Sequence, residues 1–453
     1  MISVGIDGLF APVLEQGLSR DALAKLAPSL KTAHRELMSR RGGDVGFYDL
    51  PARNDLLRSV TNEVNRLRSI ADDLVVLGIG GSSMGGQALT AALRHTTERP
   101  GRVHFLDNID PDSVGMLLDR LDPSRSAVVV ISKSGGTVET LAQLLVMRRW
   151  LRVTLGAGEA RSRMTFITAK SSGLLREVAD SEGIRAFEIP ENVGGRYSVL
   201  SPVGLLPAAF CGVDVREVLQ GAADMVERVT SDDLQQNPAT LMAAWAVLVE
   251  RELSRRTLVM MPYADSLRVV TSWFVQLWAE SLGKRLDRHG QVVNAGQTPV
   301  PALGVTDQHA QLQLFIEGPK DKAVMLVKVK KFQRALPVPD ELSDREEAAF
   351  LGGRDLSEVL AAELRATRAM LLDAGVPVLD IGLDQVDATH IGGLFVLLEA
   401  ACACTGYTMG INPFDEPGIE AGKRMAAGLL GRPGYERDAD RVLTREAVKN
   451  RVS

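Results

Sequence analysis

The 453-residue sequence contains few cysteines, and the three that it has are Cys211, Cys402 and Cys404. An odd and sparse set does not supply a disulfide framework, so we expect a reducing compartment, the cytoplasm. Cys402 and Cys404 lie in an apolar run, and no second Cys or His pair is present to complete a metal site. We therefore expect both to be buried as small hydrophobic residues rather than to bind a metal.

Charge of one sign is also not in excess, since 52 Lys and Arg stand against 57 Asp and Glu. A net charge of −5 provides no general basic surface for nucleic acid, but it does not exclude a local patch for a small anion. The N-terminus lacks the basic start of a signal peptide, and Glu399 interrupts the longest apolar stretch, 391–411. We expect no nucleic-acid partner and no membrane association.

What the sequence does have is an alternation of apolar strands and helices. Short runs rich in Val, Ile and Leu, such as 74–77 and 127–131, are typical of strands buried on both faces of a parallel sheet. Helical patterns separate them, which predicts an α/β fold with two doubly wound, mainly parallel sheets. The predicted segments are an N-terminal helical segment (1–70), a first α/β domain (71–212), a helical bridge (213–235), a second α/β domain (236–427) and a C-terminal tail (428–453). The strands predicted in the second domain are 257–261, 311–316, 323–327, 376–381 and 408–411.

Two loops rich in Gly, Ser and Thr each follow a predicted strand and precede a predicted helix. The first is GIGGSSMGG at 78–86, and the second is SKSGGTVET at 132–140. Glycines let backbone N–H groups approach a ligand, hydroxyls add donors, and a helix N-terminus favours an anion, so the pair predicts a phosphate site. Ordinary helix caps are the alternative. The nucleotide P-loop pattern is absent and the dinucleotide fingerprint lacks its third glycine, so a serine-rich phosphate site fits better than a nicotinamide cofactor.

Two further motifs carry candidate catalytic groups. ENVGGRYS (191–198) places backbone amides beside Arg196, which suits a developing oxyanion, although a surface arginine in a tight turn is the alternative. WAESLGK (278–284) ends an apolar helix, where burial would raise the pKa of Glu280 and make it a better proton shuttle. Gln276 lies one turn earlier on the same face. The alternative is a helix-end carboxylate paired with Lys284.

His309 and Lys423 complete the candidate set. His309 lies in the polar segment 305–311 beside a predicted strand, and a structural histidine is the alternative. Lys423 follows NPFDEPGIEAG in the first turns of a predicted helix, where a solvated lysine is the default. Neither residue would be a catalytic candidate without the other motifs.

Together these motifs resemble the glucose-6-phosphate isomerase (phosphoglucose isomerase) family, in the compact form found in many bacteria. The resemblance runs from about Asp73 to Gly428 without large gaps, through GIGGSSMGG, SKSGGTVET, ENVGGRYSVLSPVG, WAESLGK, TDQHAQLQLFIEGP and NPFDEPGIEAGK. It implies two sugar-isomerase-type domains and an enzyme that interconverts D-glucose 6-phosphate and D-fructose 6-phosphate in glycolysis and gluconeogenesis. It implies no cofactor and no metal.

The resemblance also implies a role for each matching residue. The substrate-binding residues would be Gly81, Ser82, Ser132, Lys133, Ser134, Thr137, Gly195 and Gln276. Glu280 would move a proton between C2 and C1 through a cis-enediolate that Arg196 stabilises, while His309 and Lys423 open the sugar ring. Glu139 would orient His309, which in the family reaches the site from a second subunit, so a homodimer is implied.

Glu416 departs from the family pattern, which usually has glutamine at this position, against the sugar. A carboxylate there would place negative charge near Glu280 and raise carboxyl pKa values, or it would pair with Lys423. Two other functions stay open, namely an isomerase of another sugar phosphate such as mannose 6-phosphate, and a sugar-phosphate-binding regulator without catalysis. The presence of Arg196, Glu280, His309 and Lys423 together favours the enzyme.

Overall fold

A computed structural model describes residues 1–98 and 100–447 of the chain. Residues 448–453 of the predicted C-terminal tail lie outside the described residues. Met1–Pro413 form one compact unit, and a second unit begins at Phe414. The domain boundaries drawn from the sequence, 71–212 and 236–427, stay predictions.

The described residues form twelve strands and sixteen α-helices. The strands are β1 (Ile2–Gly5), β2 (Asp73–Leu77), β3 (Arg102–Leu106), β4 (Ser126–Ser132), β5 (Met164–Thr168), β6 (Arg185–Glu188), β7 (Thr257–Pro262), β8 (Lys284–Leu286), β9 (Val292–Ala295), β10 (Thr298–Pro301), β11 (Lys322–Lys331) and β12 (Val378–Gln385). The helices of the first half are α1 (Asp21–Ser39), α2 (Asn54–Ile70), α3 (Met84–Leu93), α4 (Pro111–Arg120), α5 (Val138–Ser162), α6 (Leu174–Glu182), α7 (Pro202–Phe210) and α8 (Val215–Val229). Those of the second half are α9 (Pro238–Arg251), α10 (Arg268–Leu282), α11 (Leu312–Glu317), α12 (Glu346–Ala349), α13 (Leu356–Asp373), α14 (Ala388–Met409), α15 (Pro417–Leu429) and α16 (Glu436–Ala447).

The first sheet has the strand order β3-β2-β4-β5-β6, and every neighbouring pair in it is parallel. Strands β2 and β4 are buried along their whole length, which is why their sequences are almost continuously apolar. Helices α5 and α6 pack on one face of this sheet around Val128, Val130 and Phe166. The carboxyl ends of the adjacent strands β2 and β4 therefore meet at one edge of the sheet.

The second sheet has the order β1-β12-β11-β7-β10, with β7, β10, β11 and β12 mutually parallel and β1 antiparallel to β12. These two sheets confirm the predicted α/β class with mainly parallel strands. The sequence predicted only helices in 1–70, so β1 was missed. Four residues are too few for an alternating pattern to stand out, and β1 forms because β12 offers it an edge.

Two predicted strands are wrong. Residues 311–316 form α11, in which Leu312 and Phe315, one helical turn apart, pack into the core of the second sheet. Residues 408–411 belong to the end of α14, where the Thr408 hydroxyl donates to the Cys404 carbonyl at 2.8 Å and Gly410, at φ 79°, ends the helix. Apolar alternation over so short a run does not distinguish a strand from a buried helix.

Helix α14 is the long apolar element at the centre of the first unit. By length and composition it could cross a membrane, but 89% of its most apolar window is buried inside the fold, as in the core helix of a globular protein. Helices α1, α8, α9 and α10 pack around it, and the Trp273 and Phe395 rings meet edge to face at 4.5 Å. Cys402 and Cys404 are buried in α14 with free thiols, as the sequence predicted.

Helices α3 and α10 pack against each other. Because α3 begins shortly after β2 and α10 begins shortly after β7, this contact joins the helical layers of the two sheets. In the second unit, α15 and α16 pack together, and the Arg424 Nε lies 3.4 Å from Asp438 Oδ2.

Candidate functional site

Three hydroxyl groups lie together at the carboxyl end of β4. Ser132 Oγ is 3.0 Å from Thr137 Oγ1, and Ser134 Oγ is 3.5 Å from each of them. Ser132 is the last residue of the strand, and Thr137 immediately precedes α5. The cluster thus lies at a helix N-terminus, where backbone N–H groups and the helix dipole favour an anion. This is the arrangement that a phosphate site needs.

The loop after β2 lies against the ENVGGRYS motif (191–198), with no side chain between the two backbones. A Cβ atom on Gly81 would lie 2.3 Å from the carbonyl carbon of Gly195, closer than any real contact, so only glycine fits at position 81. Ser82, half-buried, closes the short 3-10 turn Gly80–Ser82 in this loop. The two motifs, more than a hundred residues apart in sequence, are therefore neighbours in the fold.

The side chain of Lys133 connects the second loop to the same ENVGGRYS motif. Its Nζ donates hydrogen bonds to the carbonyl oxygens of Glu191 at 2.9 Å and Val193 at 2.8 Å. The resemblance implied a substrate-binding role for Lys133, and its side chain has this additional structural contact. Both phosphate-type loops thus contact the residues that immediately precede Arg196.

Arg196 is a buried residue with fixed partners, so the alternative of a surface arginine is wrong. Only 2% of the residue is exposed. Its Nε donates to Ser281 Oγ at 2.8 Å, its Nη2 donates to the Pro413 carbonyl at 2.9 Å, and its Nη1 lies 3.5 Å from Glu280 Oε2. These contacts fix the plane of the guanidinium and direct one edge of it toward the Glu280 carboxylate.

Glu280 lies in the last turn of α10 between two predicted site residues. Its Oε1 accepts a hydrogen bond from Gln276 Nε2 at 3.2 Å, and its Oε2 faces Arg196. The side chain is 33% exposed, so a ligand can reach it. Lys284 donates to the backbone carbonyls of Glu280 at 2.6 Å and Ser281 at 2.9 Å, and these bonds cap the end of the helix.

The sequence did not predict the residues that hold Arg196 in place, Ser281 and its neighbour Tyr197. Ser281 is fully buried, and the hydroxyl of Tyr197 lies 3.1 Å from its Oγ. Burial raises the pKa of Tyr197 well above its usual value, and it raises the pKa of the nearby Cys402 thiol to about 11, so both side chains stay neutral at physiological pH. Ser281 and Tyr197 each follow a predicted site residue directly in sequence, which is the signal that could have found them.

His309 and Glu139 lie outside these contacts. His309 is exposed at the end of the 3-10 helix Thr306–His309, and its imidazole makes no hydrogen bond or ion pair with any other described residue of the chain. Glu139 lies in the first turn of α5, two residues after Thr137. Neither residue has a described contact to Arg196 or Glu280.

Lys423 and Glu416 belong to the second unit. Lys423 is exposed on α15, where its Nζ pairs with Glu420 Oε1 at 2.7 Å. Glu416 is the residue that immediately precedes this helix. Among residues 1–98 and 100–447, no group of three or more His, Cys, Asp or Glu side chains is placed to hold a metal ion.

The described residues include a hydroxyl cluster at a helix N-terminus and a carboxylate in contact with a buried guanidinium. A carboxylate that a ligand can reach is able to remove a proton from carbon, and a neighbouring fixed cation stabilises the oxyanion that results. The arrangement therefore suits proton transfer next to a carbonyl in a phosphorylated substrate.

Comparison with known proteins assigns the family. A profile of the family "Phosphoglucose isomerase" matches residues 58–440. The chain is 42% identical over 410 residues to a glucose-6-phosphate isomerase of Carboxydothermus hydrogenoformans, covering 88% of each protein. It is 41% identical over 424 residues to a glucose-6-phosphate isomerase of Thermus thermophilus, covering 92% of this chain and 97% of that relative.

Solved structures share the fold. The crystal structure of a hypothetical protein from Thermus thermophilus matches with a TM-score of 0.87 and 38% identity, covering 95% of this chain and 100% of that one. A glucose-6-phosphate isomerase from Chlamydia trachomatis matches with a TM-score of 0.85 and 22% identity, covering 98% of this chain and 92% of that one. At that lower identity the similarity concerns the fold alone.

Proposed function

The chain belongs to the phosphoglucose isomerase family, and from that premise we propose that it interconverts D-glucose 6-phosphate and D-fructose 6-phosphate. Relatives at about 41% identity over most of the chain bear the name of this enzyme. The observation that carries the proposal to particular residues is the contact of Glu280 with both Arg196 and Gln276. We place the reaction in glycolysis and gluconeogenesis and the protein in the cytoplasm.

The proton transfer follows from this geometry. Glu280 removes the proton from C2 of the open-chain aldose and returns it to C1, the hydroxyl proton passes from O2 to O1, and the intermediate is a cis-enediolate. Negative charge develops on the oxygens of that intermediate, and the Arg196 guanidinium, held by Ser281 and the Pro413 carbonyl, stabilises it without having to reorient. The phosphate group does not react, and its binding to Ser132, Ser134 and Thr137 positions C1 and C2.

Ring opening must come before the proton transfer, and we assign it to His309 and Lys423. The pair would move a proton between the ring oxygen and the anomeric hydroxyl. We propose that His309 acts in the site of a second subunit, with Glu139 orienting it. The exposure of His309 and the lack of any described partner for it within the chain support this assignment.

The primary test is a coupled assay of the purified protein with fructose 6-phosphate. We expect isomerisation that EDTA does not affect and that Glu280→Gln reduces by about a thousandfold or more, because the amide cannot accept the C2 proton. Glu252→Gln, at an exposed position after α9, is the matched control and should keep full activity. Full activity of a folded Glu280→Gln protein would contradict the assignment of the base.

A substrate panel separates the proposed function from its two alternatives. Glucose 6-phosphate and fructose 6-phosphate should give the highest kcat/KM, while mannose 6-phosphate should give a lower value. A higher kcat/KM for another sugar phosphate would change the substrate but keep the chemistry. Saturable binding of fructose 6-phosphate without turnover would instead establish a regulator.

Subunit mixing tests the position of His309. His309→Ala and Glu280→Gln proteins, each inactive, are unfolded, mixed in equal amounts and refolded together. If His309 acts across a dimer, each mixed dimer has one intact site, so activity returns to about one quarter of wild type after random pairing. If His309 acts within its own chain, no site is intact and no activity returns.

A further inference from the structure

A cavity of about 900 Å³ lies next to the second sheet, and none of the candidate site residues contributes to its lining. Its walls come from the segments that follow β7, β10, β11 and β12, together with the end of α3 and the start of α13. It thus lies outside the carboxyl ends of four parallel strands.

This position is where open α/β sheets bind ligands. Strand β10 lies on one side of β7 and β11 lies on the other. Right-handed crossovers therefore place α10, between β7 and β10, and α11, between β10 and β11, on opposite faces of the sheet. A crevice opens beside the carboxyl end of a strand where the connections diverge in this way.

The charge of the lining favours an anion. Arg94, Lys331 and Arg334 line the cavity, are exposed, and form no ion pair or side-chain hydrogen bond with any residue that the structure describes. Burial lowers the pKa of His95, also in the wall, so we count it as neutral near pH 7. Three cationic groups thus face the cavity without a protein anion assigned to them.

The two carboxylates in the lining are already used. Asp355 Oδ1 accepts the Ser357 N–H at 2.8 Å as the cap of α13, and its Oδ2 accepts the Leu336 N–H at 2.5 Å. Asp265 lies 3.5 Å from the guanidinium of Arg268 on the next helical turn. The described contacts pair neither carboxylate with Arg94, Lys331 or Arg334, and three cations against two carboxylates leave the lining with a net charge of +1.

Part of the remaining wall is apolar and suits a ring. Val305, Val329, Phe332, Leu360 and Val386 are among the lining residues, together with polar residues such as Thr97 and Gln333. Small-molecule sites typically combine such an apolar wall with a few convergent polar groups, and a volume of 900 Å³ is at the upper end of their usual range. Inorganic phosphate or a sugar phosphate would leave this wall without a partner.

We propose that this crevice binds a phosphorylated small molecule with an apolar or aromatic ring, of the class of a nucleoside monophosphate, at a site separate from that of the sugar phosphate. Arg94, Lys331 and Arg334 bind the phosphate group, and the apolar wall contacts the ring. The inference rests on the second sheet alone and does not depend on the proposed function.

Calorimetric titration of the full chain with adenosine 5′-monophosphate tests the proposal. We expect saturable binding of one ligand per chain. Arg94→Gln/Arg334→Gln should weaken this binding about tenfold or more, because two charge-assisted hydrogen bonds are lost. The control Ser132→Ala/Thr137→Ala, in the phosphate-type loop of the first sheet, should leave it unchanged while it weakens binding of fructose 6-phosphate.

Three outcomes would overturn the proposal. One is the absence of saturable binding, and another is binding that the Ser132→Ala/Thr137→Ala variant loses but the arginine variant keeps. The third is inorganic phosphate binding as tightly as the nucleotide, which would refute the contribution of the apolar wall. Should the double arginine variant fail to fold by circular dichroism, Lys331→Gln at an exposed position replaces it, with several-fold weaker binding expected.

Discussion

Glu399 makes the stability of this protein depend on pH in a way that a single substitution removes. It lies in α14, 1% of it is exposed, and neither carboxylate oxygen has a hydrogen-bond partner among the described residues. Burial raises the pKa of Glu399 well above its ordinary value of 4.5, and no other cause contributes. The folded protein therefore holds this group protonated, whereas the unfolded chain ionises it.

The sign and size follow from proton linkage. Above pH 4.5 the folded state binds one more proton than the unfolded state, so stability falls as pH rises toward the folded-state pKa. The slope is about 1.4 kcal/mol for each pH unit. The loss accumulates at this rate from pH 4.5 upward for as long as the folded protein holds Glu399 protonated.

The perturbation is Glu399→Gln, because glutamine copies the shape of the protonated acid but does not titrate. We expect equal stability of the two proteins near pH 4.5 and a gain for the variant that grows by about 1.4 kcal/mol for each pH unit above it. The assay is reversible urea unfolding from pH 5 to pH 8, followed by the fluorescence of buried tryptophans, among them Trp273 beside α14.

The matched control is Glu227→Gln, at an exposed position of α8, the helix that packs on α14. It should not alter the pH dependence. A stability difference between wild type and Glu399→Gln that stays constant from pH 5 to pH 8 would refute the reasoning. It would mean that the carboxylate ionises in the folded state without cost, through water or an ion that reaches it.

The loop contacts and buried thiols give three more predictions. Gly81→Ala forces a Cβ to within 2.3 Å of the Gly195 carbonyl carbon, so kcat/KM should fall about a hundredfold, while Gly136→Ala, with nothing within 4 Å of the new Cβ, should keep wild-type kinetics. Equal kinetics of the two variants would contradict this. Lys133→Met removes two hydrogen bonds to backbone carbonyls and should cost about 1 to 3 kcal/mol in urea unfolding and raise KM for the sugar phosphate; an unchanged KM would mean that this contact does not hold the loop. Burial raises the pKa of the Cys404 thiol to about 12, so native protein at pH 8 should react with iodoacetamide there no faster than it unfolds, and rapid alkylation would disprove its burial.

The sequence was most informative where a pattern is local. The buried strands β2 and β4 are continuous apolar runs, and the glycines and hydroxyl residues of the loops that follow them are consecutive in the sequence. It was least informative where a contact partner decides the structure. β1 is a strand only because β12 lies beside it, and the helical course of 311–316 depends on the core that receives Leu312 and Phe315. Such long-range packing overrides local propensity.

The support of Arg196 shows the same limit within the candidate site. The arginine itself was evident from ENVGGRYS, but its Nε and Nη2 are held by residues at positions 281 and 413, which no spacing rule connects with position 196. Ser281 lies on the helix that follows β7, Pro413 follows the central helix α14, and Arg196 follows the first sheet. A buried cation in low dielectric is costly unless its partners are well positioned, so the orientation of this guanidinium depends on how elements of both sheets pack. The orientation of the Arg196 guanidinium thus depends on packing across the whole first unit, whereas the phosphate-type loops depend on one edge of the first sheet.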